Sequence, residues 1–298
     1  MQYITGIESH KWENRTAVTL GKFDGLHRGH QKLVDKIEEY GKKDGCESVL
    51  CAFDMGRDSL MTKKERRARL EGRIDWLVEY PFTRELREME AEDFIREILW
   101  KRLRAAHIVV GTDFCFGRGK RGNADMLAAY AEKYGYTLDV IEKEKYQDRV
   151  ISSTYVKEAL AEGDVSLARE LLGYPYEMSG VVEHGRQLGR TLGFPTMNIE
   201  PEPHKIMPRF GVYACRVKIG GAWYPGIGNV GVKPTVTDEK KRLLEVFVFG
   251  YGQDAYGKEI TAQFWEFERP ERKFASVEEL KAHVDGDIRF GKRYFGLK

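Results

Sequence analysis

The chain has 298 residues, a length that favours two domains over one. Its 49 Lys and Arg against 47 Asp and Glu leave a net charge of +2, too even for a dedicated nucleic-acid binder. With 42% hydrophobic and 32% charged residues it can bury sizeable cores, and the composition is not that of a disordered chain. The longest apolar runs, such as Ala105–Val110, are strand-sized and fall far short of the ~20 residues that span a bilayer. The start, Met1-Gln2-Tyr3-Ile4-Thr5, lacks the basic and apolar regions of a secretory signal. Four scattered cysteines (Cys46, Cys51, Cys115, Cys215) form no C-x-x-C pair, which argues against a zinc cage or disulfide framework. The expectation is a cytoplasmic protein with reduced, buried thiols, and with neither nucleic acid nor membrane as partner.

Of nine prolines, only Pro81 precedes residue 175. Proline is excluded from helix interiors and central strands, so two differently built halves are expected.

In the first half, Thr16–Leu20 is rich in β-branched residues and reads as a strand. A glycine-containing turn leads into a helix from about Gly29, with Leu33, Ile37 and Tyr40 on one face and Gly41 as its stop. Ser48–Phe53 reads as a buried strand. Thr62–Tyr80 and Ala91–Arg104 read as helices, Ala106–Val110 as a strand, Asn123–Tyr134 as a helix and Tyr136–Ile141 as a strand. Ser152–Leu172 reads as two short helices broken near Gly163. This alternation predicts a doubly wound parallel sheet, with ligands at the carboxyl ends of its strands. The basic run from Lys63 to Arg73 reads as a solvated helix face.

In the second half, Val212–Val217, Leu243–Phe249 and Ile260–Phe267 read as strands between Gly/Pro turns. A capping box, Ser276-Val277-Glu278-Glu279, opens a terminal helix. Short strands plus one helix predict a small β-barrel. Gly173-Tyr174-Pro175 is the natural joint, giving domains 1–174 and 175–298. Gly226-Ile227-Gly228-Asn229-Val230-Gly231 satisfies G-x-G-x-x-G, but Pro234 follows where a dinucleotide fingerprint needs a helix.

Three motifs carry chemistry. Gly21-Lys22-Phe23-Asp24-Gly25-Leu26-His27-Arg28-Gly29-His30 lies between a strand and a helix. Two histidines three apart at a helix N-terminus share a face with unpaired N–H donors, a setting that suits phosphate; a metal pair or plain surface histidines are the bland alternatives. Ile151-Ser152-Ser153-Thr154 places three hydroxyls at a helix start, read equally as phosphate ligands or as N-caps. Leu188 to Asn198 is a glycine-rich turn ending Pro195-Thr196-Met197-Asn198. Such a turn brings backbone N–H groups to phosphate, and Thr196 and Asn198 offer neutral oxygens to magnesium. Glu245 lies in an apolar strand, where a carboxylate needs a reason.

His-x-Gly-His in this setting resembles the HIGH-type nucleotidylyltransferases. From about Val18 to Asp287 the chain as a whole resembles the bacterial bifunctional riboflavin kinase/FAD synthetases. Gly111-Thr112-Asp113-Phe114, Gly185 to Arg190, Gly193-Phe194-Pro195-Thr196-Met197-Asn198, Gly211-Val212-Tyr213-Ala214 and Leu244-Glu245-Val246 support it in the family's order. The resemblance implies an α/β plus β architecture. A Rossmann-like nucleotidylyltransferase domain would precede a small β-barrel riboflavin kinase domain with a terminal helix. It implies ATP as co-substrate, magnesium as cofactor, and riboflavin, FMN and FAD as substrates and products. His27 and His30 would stabilise the ATP α-phosphate, with Gly21, Phe23, Asp24, Gly25, Thr112, Asp113, Ser152, Ser153 and Thr154 around the nucleotide. In the kinase domain Gly185, Gly189, Gly193, Pro195, Thr196 and Asn198 would hold ATP, with magnesium on Thr196 and Asn198. Glu245 would be the base, and Gly211, Tyr213, Arg269 and Phe274 would touch the flavin.

Three positions depart from the family. Phe53-Asp54-Met55-Gly56-Arg57 replaces Phe-Glu-Pro-His-Pro, Lys22 replaces an asparagine, and Lys157 replaces an arginine. They leave open a riboflavin kinase with a degenerate first domain; a flavin- or nucleotide-binding protein without turnover is a third reading, against which the intact Pro195-Thr196-Met197-Asn198 and Glu245 argue.

Overall fold

The run Thr16-Ala17-Val18-Thr19-Leu20 is buried along its whole length and forms a central strand, as its branched side chains predict. It belongs to a computed structural model that describes every residue except Ser9, Met55, Arg57, 185–188, 190, 191 and 235–239. The chain divides into two units, Met1–Ser152 and Ser153–Lys298.

In the first unit the strands are β1 (Gln2–Thr5), β2 (Thr16–Gly21), β3 (Glu47–Asp54), β4 (Trp76–Pro81), β5 (Ala105–Gly111), β6 (Cys115–Phe116), β7 (Gly122–Asn123), β8 (Thr137–Ile141), β9 (Lys145–Tyr146) and β10 (Arg149–Val150). Six of them form one parallel sheet in the order β1-β4-β3-β2-β5-β8. β6 and β7, and β9 and β10, make two small antiparallel ribbons. The helices are α1 (Arg28–Asp44), α2 (Lys63–Leu70), α3 (Arg84–Glu88), α4 (Ala91–Asp93) continued as a π-helix over Phe94–Arg102, and α5 (Ala124–Tyr134). Val18, Val49, Cys51, Val78, Ile108 and Val110 from the sheet join Phe94, Ile95 and Leu99 in one core. The chain winds outward from β2 through β3 and β4, then returns to β5 on the other side of β2. The carboxyl ends of β2 and β5 therefore flank the topological switch point, where such sheets bind ligands.

Three expectations need correction. The stretch Thr62–Tyr80 is not one helix. α2 stops at Leu70, Gly72 turns at φ 77°, and Trp76–Tyr80 forms the buried strand β4. An apolar run of this length fits a buried strand as well as a helix, and neighbours on both edges decide it. Nor does α1 stop at Gly41. It continues to Asp44 and is capped by left-handed Gly45, while Gly41 leaves room for the Cys46 carbonyl, 3.3 Å from where a Cβ would stand. Among the thiols Cys115 is exposed, whereas Cys46, Cys51 and Cys215 are buried.

The second unit opens with α6 (Ser153–Glu162) and α7 (Val165–Leu172). Its strands β11 (Glu177–Glu183), β12 (Met197–Ile199), β13 (Gly211–Ile219), β14 (Ala222–Pro234), β15 (Lys240–Val248) and β16 (Glu259–Pro270) close a barrel in the order β11-β12-β15-β14-β13-β16. Arg209 N–H donates to the Leu160 carbonyl at 2.8 Å, tying α6 to this unit. Gly173, in the stretch expected to join the domains, caps α7 within it. Gly226–Gly231 runs inside β14 with no helix after it. The C-terminal helix (Val277–Tyr294) begins at Ser276, whose hydroxyl accepts from Glu279 N–H at 3.1 Å. The Glu279 carboxylate accepts from Ala275 N–H at 2.9 Å, one residue before the expected partner.

Candidate functional site

In the first unit, the segment between β2 and α1 is tightly coiled. Phe23, Gly25 and Leu26 all have positive φ, at 46°, 87° and 42°. Two non-glycine residues in the left-handed region mark stored strain. Phe23 is fully buried, and its ring lies 3.3 Å from where a Gly21 Cβ would stand, so Gly21 is needed for that packing. Asp24 accepts from Leu60 N–H at 2.6 Å. His27 caps α1, its Nδ1 accepting from His30 N–H at 3.4 Å. The two imidazoles stack with centroids 3.7 Å apart, and Phe23 flanks His30 at 5.1 Å. The first turn of α1 carries no acidic residue, so its N-terminus favours an anion.

Burial pushes the His27 imidazole down to about 4, against the opposing pull of Asp24, Glu144 and Asp113. Burial, then His27 and Arg66, hold His30 well below the usual histidine value. Both rings are neutral near pH 7 and able to donate hydrogen bonds to phosphate. Thr112 and Asp113 follow β5 at the same end of the sheet, with Asp113 paired to Lys143 at 2.8 Å. Arg28 and Lys32 at the start of α1 both pair with Glu144. Ser152 ends the first unit, and Ser153 and Thr154 begin α6.

In the second unit, register lines up five residues around the barrel. Asn198 of β12 faces Glu245 of β15, which faces Asn229 of β14, which faces Val212 of β13, which faces Arg269 of β16. Directly opposed residues project from the same side of a sheet. All five line a cavity of about 330 Å³, together with Gly189, Phe194, Thr196, Glu271 and Phe274. Thr196 and Asn198 are two apart in an extended segment and so reach the cavity from one side. A hydroxyl and a carboxamide oxygen are hard neutral donors, a pair that fits magnesium. Gly189 accommodates the turn, since a Cβ there would lie 2.6 Å from the Phe194 carbonyl. Gly193, at φ 92°, and Pro195 are exposed on the same segment.

The C-terminal helix closes one side of this cavity. Arg269 clasps Asp287 with two hydrogen bonds, of 2.8 and 2.6 Å. Arg269 and Arg272 hold their guanidinium groups 5.9 and 5.3 Å from the Phe274 ring. Glu271 faces the same space, and burial raises its carboxyl, as does the nearby Glu245, while a hydrogen bond with Asn229 opposes them.

Two expected flavin contacts lie elsewhere. Tyr213 is fully buried against Phe264 and Phe267, and its hydroxyl donates to the Arg209 carbonyl. Gly211 packs on the backbone of β16, where a Cβ would meet the Arg269 carbonyl at 2.3 Å. Side chains alternate along a strand, so Val212 between them is the one that faces the cavity. Gly185 lies outside the described residues. Sequence reasoning missed Asn229, Glu271 and Asp287 here, and the buried Arg66 and Glu79 in the first unit.

The FAD synthetase family model matches residues 9–155, and the riboflavin kinase family model matches residues 172–295. The bifunctional riboflavin kinase/FMN adenylyltransferase of Pseudomonas fluorescens is 35% identical over 97% of this chain and 96% of its own. That of Escherichia coli K12 is 35% identical over 100% and 99%, and that of Haemophilus influenzae 33% over 99% and 99%. A crystal structure from Streptococcus pneumoniae, described as a macrolide-efflux protein, matches with a TM-score of 0.86. It is 27% identical and covers 96% of this chain and 97% of its own. Among the described residues of the present chain, no helix is long and apolar enough to cross a membrane.

Proposed function

Because this chain belongs to the bifunctional riboflavin kinase/FMN adenylyltransferase family, we propose that it performs two successive reactions on a flavin. The second unit transfers the γ-phosphoryl group of ATP to riboflavin, giving FMN and ADP. The first unit transfers AMP from another ATP to FMN, giving FAD and pyrophosphate.

The observation that carries the kinase assignment is the ring of facing residues, with Glu245 between Asn198 and Asn229. A carboxylate there meets the terminal ribityl hydroxyl as general base. Asn229 orients that carboxylate's surroundings through its bond to Glu271. Thr196 and Asn198 would hold magnesium with the ATP phosphates, where it would supply positive charge against the transferring phosphoryl group. Gly189, Gly193 and Pro195 shape the backbone around those phosphates. Arg269, Phe274 and Val212 border the flavin.

For adenylyl transfer, His27 and His30 donate hydrogen bonds to the α-phosphate as pyrophosphate departs. Neutral imidazoles at a helix N-terminus provide that stabilisation without a covalent step. Gly21, Phe23, Asp24 and Gly25 shape the turn that presents them, and Thr112 and Asp113 contribute from β5. The match of the FAD synthetase model runs through Ser152, Ser153 and Thr154, which supports a phosphate-binding role for them. The same match spans the altered segment Phe53 to Arg57, which weighs against the kinase-only reading. A cytoplasmic location suits substrates that are soluble nucleotides and flavins.

The test supplies magnesium–ATP with riboflavin in one tube and with FMN in another, then resolves products by chromatography. The expected result is FMN with FAD in the first and FAD in the second. FMN alone in the first and no reaction in the second reduces the protein to a riboflavin kinase.

A further inference from the structure

The basic run that opens α2 holds one cation withdrawn from solvent. Arg66 is 7% exposed, and its Nη1 donates to both carboxylate oxygens of Glu79, at 2.7 and 2.8 Å. Glu79 is 0% exposed in β4. It stands in register with Ala52 of β3, which stands in register with Gly21 of β2. Glu79 is thus two strands from the residue that ends β2, in one row at the carboxyl edge of the sheet. The segment before α2 is also tied to the turn before α1, through Leu60 N–H and Asp24. Arg66 is near enough to His30 to act on its imidazole.

A buried ion pair is a poor stabiliser, because desolvation offsets the attraction and an apolar pair of similar volume does as well. Two buried nitrogens point to another task. Arg66 Nε and His30 Nδ1 have no hydrogen-bond partner among the described residues. On the adenylyltransferase reading given above, we propose that Arg66 is a positioning residue of adenylyl transfer, held by Glu79 and acting through His30. A fixed cation beside an imidazole disfavours a second positive charge there. Burial acts first in this direction, and Arg66 adds to it, so His30 meets the phosphate as a neutral donor. His27 acts on His30 in the same direction as Arg66, while Asp24, Asp113 and Glu144 act oppositely on His27. Glu79 fixes the guanidinium through one nitrogen and leaves Nε uncommitted.

The test removes the pair whole. Arg66→Met/Glu79→Leu discards both charges at similar volume, a replacement that folds tolerate. FAD formation from FMN is expected to fall about 10- to 100-fold in kcat, the loss of one charge-assisted interaction in a transition state, with KM for FMN little changed. Arg66→Lys restores part of that kcat. Riboflavin phosphorylation in the same preparation stays at the wild-type rate, and the His30 ring titrates at higher pH by NMR. Wild-type FAD formation in the double variant overturns the proposal. So does a loss accompanied by unfolding of the first unit, an unmoved His30 titration, or a Lys variant no better than the double one. If the wild type itself makes no FAD from FMN, the underlying reading falls and takes the proposal with it.

Discussion

Arg269 at the end of β16 and Asp287 in the C-terminal helix are joined by a two-point clasp, Nε to Oδ1 at 2.8 Å and Nη2 to Oδ2 at 2.6 Å. Asp287 is only 4% exposed, so this is a largely dry contact. Arg269 closes the ring of facing residues that starts at Asn198. The clasp therefore fixes one helix to the residues that surround the proposed flavin site. The segment between the partners carries Arg272 and Phe274, which line the same cavity.

Asp287→Ala should loosen that wall. Removing one partner strands a partly buried cation, a cost of about 1–3 kcal/mol for a charged hydrogen-bonded group. KM for riboflavin should rise, with a lower Tm for the kinase unit, while FAD formation from supplied FMN stays near wild type. Steady-state kinetics with each flavin would measure the split. An unchanged KM for riboflavin would show that the clasp serves the helix alone.

Glu268 should make the kinase unit's stability depend on pH. Burial, with Asp287 close by, pushes its carboxyl up to about 7, and Arg269 opposes that shift. Its folded-state value thus lies above its usual one, so the folded state binds more protons between the two. Stability contributed by the protonated form is complete near pH 4.5 and is lost as pH rises through about 7. Glu268→Gln should raise Tm at pH 8 and flatten its dependence between pH 5 and 8 on linkage grounds. Thermal melts at a series of pH values would test this, and parallel profiles for both proteins would refute it.

Local strings pick out one end of the row that lines the proposed kinase cavity and not its middle. Thr196, Asn198 and Glu245 stand in short sequence contexts whose chemistry is visible alone. Arg269 is reached in the sequence only through the resemblance, and Asn229 joins them only through the register of a closed barrel, which no short window contains. The same gap explains Tyr213: the string Gly211-Val212-Tyr213 marks the strand, but pleat parity decides which member faces the cavity. In the first unit, the turn before α1 was recognisable because a strand, glycines and a helix start occur in sequence. The strand β4 was hidden within an apolar stretch that suited a helix equally. Arg66 reads as solvated among five basic neighbours, yet it stands four residues before the buried Leu70, on the face that packs inward.

Gly291 tests how closely the C-terminal helix must approach the barrel. A Cβ there would lie 2.4 Å from Ile227 Cγ2 and 3.0 Å from the Phe249 ring. In an exposed helix Gly→Ala would gain about 1 kcal/mol of propensity. Here the overlap with a buried side chain should outweigh that gain, giving a net loss of about 1–3 kcal/mol from overpacking. Denaturant melts of Gly291→Ala would reveal the sign. Since Ile227 also lines the cavity, KM for riboflavin should rise with the loss of stability.

Glu245→Gln separates the two chemistries most sharply. The substitution keeps the size of the side chain and its place between Asn198 and Asn229, but removes the carboxylate proposed to accept the proton. Loss of a general base lowers kcat by about 10²- to 10⁴-fold, so FMN formation from riboflavin should fall on that scale. FAD formation from FMN, assigned above to His27 and His30 in the first unit, should persist. The fold should survive, because an amide can take over hydrogen bonds that the carboxylate accepted. Chromatography of the two reactions side by side would decide it. Equal loss of both activities in a folded protein would mean that they do not reside in separate units, and full retention of FMN formation would remove Glu245 as the base.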